Sequence, residues 1–147
     1  MSNDFLASEE FASLTHRHIQ ECIELMLNKN ESFEILVNMY FVDFNPPLPE
    51  NIKNKKAIGL FSISSDSLDS AKVTNNSLIF DAAFGDENFI TSVRVNFNGI
   101  LRINIQETTL LINCSTFIIP LYNASEEIQK STDIFKSNPK NKDIFKS

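Results

Sequence analysis

The chain has 147 residues, of which 42% are hydrophobic and 22% charged, with thirteen Phe, no Trp and a formal net charge of −6. That length suits one domain with room for a core, and no apolar run approaches the roughly 20 residues of a membrane-spanning helix. An acid excess without clustered Lys and Arg argues against a nucleic-acid partner, and no basic amphipathic helix points to a membrane surface.

The first ten residues carry neither a positive start nor an apolar signal core. The two cysteines, Cys22 and Cys114, stand far apart. Both fit reduced, buried thiols, so the expected compartment is the cytoplasm.

From about Ser8 to Lys29 the pattern is helical. Phe11, Leu14, His18, Cys22 and Met26 recur at three- and four-residue steps, and Ile19 and Ile23 widen the stripe. Glu9 and Glu10 at the start and Lys29 at the end complement the helix dipole. Leu25 and Leu27 lie off the main stripe, so a second apolar face is available for another subunit. His16 and His18 are two residues apart, which is the wrong spacing for a helical metal pair.

Phe33 to Phe44 reads as one long strand with Phe33, Ile35, Val37, Met39 and Phe41 on a shared face. Pro46, Pro47 and Pro49 then forbid regular pairing. Ala57 to Ser64 predicts a second strand, and Ser65 to Ser70 a short helical turn with Leu68 inward. Asn75 to Gly85 is the organising stretch: a turn, then a strand with Leu78, Phe80, Ala82 and Phe84 on one face. The methyl of Ala82 between two rings leaves a notch, either core packing against a helix or the floor of a groove for another chain.

Asp86 to Asn88 is a loop, and Phe89 to Phe97 is a strand with Val93, Val95 and Phe97 inward. Asn98-Gly99 is a reversal signal. Ile100 to Ile105 and Thr108 to Tyr122 are strand-like, with Pro120 marking the end. One helix followed by about five or six mostly antiparallel strands predicts a mainly β, α+β fold. A small, strongly bent barrel or half-barrel with the helix on one side fits best. Residues 1–122 form this domain, and 123–147 form a polar tail in which Asp-Ile-Phe-Lys-Ser occurs at Asp133–Ser137 and again at Asp143–Ser147. The repeat fits a plain chain end, or a tethered motif captured by a partner's groove.

Gly59, Gly85 and Gly99 make no phosphate loop, and no Cys-x-x-Cys, His-Glu-x-x-His or nucleophile elbow is present. His18 lies one turn from Cys22, an arrangement better explained as helix packing than as a catalytic pair. Asp81 on the central strand has no partner acid. The chain therefore reads as a non-enzyme without cofactor or metal.

Ser62-Ile63-Ser64, Leu68, the stretch from Asn75 to Gly85, Val93-Arg94-Val95-Asn96-Phe97 and Ile100-Leu101-Arg102-Ile103 follow in an order and spacing that resembles the stringent starvation protein B family. Members of that family are adaptors that deliver tagged peptides to the ClpXP protease. The helix and the Ile35–Val37 strand also fit, and about two thirds of the chain is covered. The resemblance implies an Sm-like bent barrel that dimerises through its N-terminal helix. It implies a groove for an ssrA-like degradation tag near Ile35, Phe80, Ala82, Phe84 and Gly85. It also implies a tail docking on a ClpX-type unfoldase through Ile134, Phe135 and Lys136 or Ile144, Phe145 and Lys146. The chain departs from the family at Ala83, Asp86 and Asn96, where arginine, a second glycine and proline are usual, and its Asp86–Ile90 loop is longer. A structural protein bound to one fixed partner is the alternative reading.

Overall fold

Ser8 caps the helix. Its backbone is extended and its Oγ accepts the Phe11 N–H at 3.1 Å, occupying one of the donors that a helix start leaves open. The computed structural model describes residues 3–53 and 56–117. After a single turn, α1 (Asn3–Leu6), it runs the capped helix, α2, over Glu9–Asn28. Asn30 ends the helix in the left-handed conformation, φ 56°, while the Glu31 N–H bonds back to the Met26 carbonyl at 2.8 Å.

The core-facing line of α2 is Ala12, Ile19, Ile23 and Met26, which corrects the stripe expected from spacing. Leu14 is 49% exposed, Leu25 is 55% exposed, and His18 lies in solvent. Both lines obey the helical period. The two isoleucines win because they are fully enclosed against the sheets, whereas Phe11 and Cys22 fall on the flank.

Eight strands follow among the described residues: β1 (Phe33–Asn38), β2 (Val42–Asn45), β3 (Ile58–Ile63), β4 (Lys72–Val73), β5 (Ser77–Phe84), β6 (Phe89–Asn96), β7 (Ile100–Ile105) and β8 (Thr108–Ile112). A short helix, α3 (Ser65–Ser70), separates β3 from β4. All described pairings are antiparallel, in two four-stranded sheets with orders β3-β1-β7-β8 and β2-β6-β5-β4. The fold is mainly β with an N-terminal helix, and no closed barrel is detected among the described residues.

The long strand expected over Phe33 to Phe44 is two strands, one in each sheet. Asn38 breaks it: its side-chain oxygen accepts the Tyr40 N–H at 3.0 Å and turns Met39–Phe41 into a 3-10 corner. Past this corner the inward parity slips, from Phe33, Ile35 and Val37 to Val42 and Phe44. A one-residue slip exchanges the two faces of a strand, so the chain must change sheets to keep its apolar side inward. The Asn98-Gly99 signal likewise makes a 3-10 corner, Phe97–Gly99, carrying β6 into β7 across the sheets. It is not a hairpin within one sheet. Because β1 pairs with β7 and β2 with β6, the two corners lie side by side in one antiparallel ribbon that bends between the sheets.

The last strand also differs from expectation, since it ends at Ile112. Asn113 stops it by donating from Nδ2 to the Ile100 carbonyl at 3.1 Å and accepting the Ser115 N–H at 2.9 Å. Residues 118–122 and the whole 123–147 tail lie outside the described residues, and with them Ile134, Phe135, Lys136, Ile144, Phe145 and Lys146.

The corners touch at Gly99, where a Cβ would stand 2.4 Å from the Phe41 Cβ. That neighbour is fixed to the backbone and cannot swing away. Gly99→Ala is therefore expected to lower stability by about 1–3 kcal/mol in denaturant titration. Gly59→Ala should cost less, because the atom it would meet is the flexible Met39 sulfur at 2.6 Å. Equal unfolding midpoints for the two variants would contradict this account of the corner.

Candidate functional site

The strand β5 is only partly covered on the side away from β6. Its neighbour there, β4, pairs with Leu78 and Ile79 and goes no further. Ser70 Oγ, at the end of α3, accepts the Asp81 N–H at 2.8 Å and continues that edge by one bond. Among the described residues, no strand takes up β5 beyond this point. The first sheet has a matching feature, because among the described residues β3 pairs with β1 alone and its other edge is free. α3 packs against both strands, so the two open edges border one region of the surface.

Four phenylalanines furnish that region. Phe61 of β3 stands across from β5, its ring 5.7 Å from Phe80 and 6.3 Å from Phe84, both edge-on. Phe44 of β2 meets Phe84 from the other side at 5.7 Å. Edge-to-face contacts at this spacing fix ring orientation more tightly than aliphatic packing does. Ala82, between Phe80 and Phe84 in sequence and on their face of β5, remains half-buried. The notch is thus narrowed by Phe61 and not sealed.

The candidate residues fall into two layers. Ile35 and Phe80 are enclosed in the core, with exposures of 0% and 1%, and support the region from beneath. Ala82 and Phe84 are half-buried and Gly85 is exposed. Gly85 has φ 76°, and a Cβ there would stand 2.7 Å from Ile52 Cγ2, so the loop after the prolines closes over the end of β5. Thr91 Oγ1 holds that loop by donating to the Pro46 carbonyl at 2.6 Å. Sequence reasoning missed Phe61, Phe44 and Ile52. The alternation of β3 does turn Phe61 inward, but no local signal says which strand it will face.

The chemistry of the region is apolar. Asp81, considered as a buried acid, is exposed. His18 is exposed and Cys22 half-buried, and burial pushes the Cys22 thiol up from its ordinary range, the opposite of what a nucleophile needs. Cys114 is exposed, which corrects the expectation of two buried thiols. Among the described residues no three His, Cys, Asp or Glu side chains gather to hold a metal ion, and no helix is long and apolar enough to cross a membrane. Such a region can bind an apolar, extended segment.

No family model matches the chain, and no curated protein matches it.

The two thiols should separate in a reactivity experiment. With an excess of a chromogenic disulfide at pH 8, the native protein should release one fast equivalent from Cys114 and a slow one from Cys22. Cys114→Ser should remove the fast phase alone. Loss of the slow phase instead would place Cys22 in solvent.

Proposed function

We infer that the chain is a non-catalytic peptide-binding adaptor. It takes an extended segment along the open edges of β3 and β5, over Ala82, Phe84 and Gly85, and hands it to a partner. One observation carries this reading: among the described residues the upper half of β5 is unpaired on the side away from β6, beside the outer edge of β3, with the half-buried Ala82 between aromatic side chains. An open strand edge offers main-chain hydrogen bonds to any sequence, and a small pocket beside it selects side chains. Ile35 and Phe80 act from below by holding the pocket's shape.

The resemblance to stringent starvation protein B gives the reading its particulars. The two sheets bent about one ribbon suit an Sm-like half-barrel of that type. The occupant is then an ssrA-like degradation tag, and the recipient is a ClpXP-type protease reached through the repeated Asp-Ile-Phe-Lys-Ser tail in the cytoplasm. The exposed Leu14, His18 and Leu25 line of α2 suits pairing of two such chains. The second reading, a structural protein bound to one fixed partner, draws on the apolar outer face of the first sheet.

Fluorescence anisotropy with a labelled ssrA-type peptide tests the binding step. Ala82→Trp is expected to weaken binding at least tenfold, which is about 1.4 kcal/mol, with the melting temperature little changed because Ala82 is half-exposed. Deleting residues 133–147 should leave peptide affinity intact and abolish accelerated degradation of a tagged substrate by ClpXP. An Ala82→Trp protein that binds as the wild type does would rule out this cleft. A full-length chain that binds no tag peptide and speeds no degradation would rule out the adaptor.

A further inference from the structure

The outer face of the first sheet carries a row of side chains that the core does not use. Leu60, Leu36, Arg102 and Ile112 are direct neighbours across β3, β1, β7 and β8, about 4.8 Å apart from strand to strand. They lie opposite the buried Phe61, Ile35 and Ile103. Leu60 is 57% and Ile112 62% exposed, and Ile58, 44% exposed, extends the patch along β3. Solvated faces of antiparallel sheets ordinarily alternate to polar residues, so this face is unusual in its composition.

Two charged groups sit within it. Arg102 lies between Leu36 and Ile112, and its Nε is shut off from solvent without a hydrogen-bond acceptor. Glu34 is one step along β1 on the same face, half-buried, opposite Asn104, whose side-chain oxygen is enclosed without a donor. A partner surface of a single sign would set one of these charges against its like. A second copy does not, because a two-fold axis in the plane of contact brings Arg102 over the partner's Glu34 and repeats the pair in the other direction.

We propose that this face is a self-association surface, on which two copies pack their first sheets together through Leu36, Leu60 and Ile112 with reciprocal Arg102–Glu34 pairs. Face-to-face sheets sit about 10 Å apart, close enough for these side chains to meet. The side chains of this surface lie on the face of β3 opposite Phe61, away from the rings of the peptide cleft, and on strands other than α2's partners, although β3 borders both surface and cleft. Self-association there therefore holds whether or not the adaptor reading does.

Sedimentation equilibrium of the full-length chain tests it, with Arg102→Glu, Glu34→Arg and the two combined. Each single change should raise the dissociation constant of this interface tenfold or more, by turning an attraction into a repulsion. The combined variant should recover the wild-type mass. Leu60→Lys, at an exposed position that the core does not need, should weaken association in the same way and decides the matter if a charge variant fails to fold. A parallel series carrying Leu25→Glu on α2 separates pairing through the helix, which the charge series should leave untouched. A Leu25→Glu chain, otherwise wild type, that is monomeric overturns the proposal. So does a mass indifferent to Arg102→Glu and Leu60→Lys, as association through the β8 edge would give.

Discussion

The contact between Phe41 and Gly99 sets the rest of the architecture. Two chain segments cross between the sheets side by side, one at Met39–Phe41 and one at Phe97–Gly99, and they pack so closely that a single added methyl has no room. A glycine is required there by proximity and not by backbone conformation. The ribbon can fold over on itself only if its concave side is thin at the bend. With the corner fixed, the buried faces of both sheets close over Phe80, Phe97, Leu78, Ile35 and Ile103, and α2 adds Ile19 and Ile23.

Bending the sheets together at one corner leaves them unjoined elsewhere. Among the described residues the second sheet ends in the two-residue β4 and one edge of the first is β3, with α3 linking them in the chain. A barrel would pair these edges and bury their backbone groups. Among the described residues they stay open, and Phe61 reaches across in place of hydrogen bonds, touching Phe80 and Phe84 by their edges. The corner and the open region are thus two consequences of one bend. The groups that distinguish the open region are backbone donors and acceptors, aromatic rings and one methyl, with no ionisable cluster among them.

Much of this was legible in the sequence. Ser8 and the acids after it located the helix start, alternation located β5 and β6, and Ser65 to Ser70 read as the helix it forms. What failed were decisions in which two patterns fit equally. The face of α2 was ambiguous because apolar residues span a wide arc, and only the sheets choose between Ile19 and Leu14. The sheet change at Asn38 was masked because Met39 and Phe41 extend the alternation of Phe33, Ile35 and Val37 past the break. At the site, the notch beside Ala82 was visible in spacing alone, but Ile35 and Phe80 proved to lie beneath the surface. Phe61, Phe44 and Ile52 come from three other segments, and no local pattern pairs residues that far apart.

The dimensions of the open region bear on how an adaptor of this kind would work. Past Asp81 the stretch of β5 open on the side away from β6 is short, ending at Phe84, and the side chain between its two rings is the single methyl of Ala82. A bound segment would gain a few main-chain hydrogen bonds, each worth about 1 kcal/mol net, and would lose much of that in being ordered. Tight capture by this cleft alone is thus not expected on physical grounds. A weak cleft becomes effective when the bound segment and the recipient are held on one molecule, since linkage raises the local concentration without any new contact. Duplication of the molecule multiplies the effect. Self-association and a repeated motif beyond the core are the features that would turn a modest groove into a delivery device, and they are also where the proposal is most exposed to experiment.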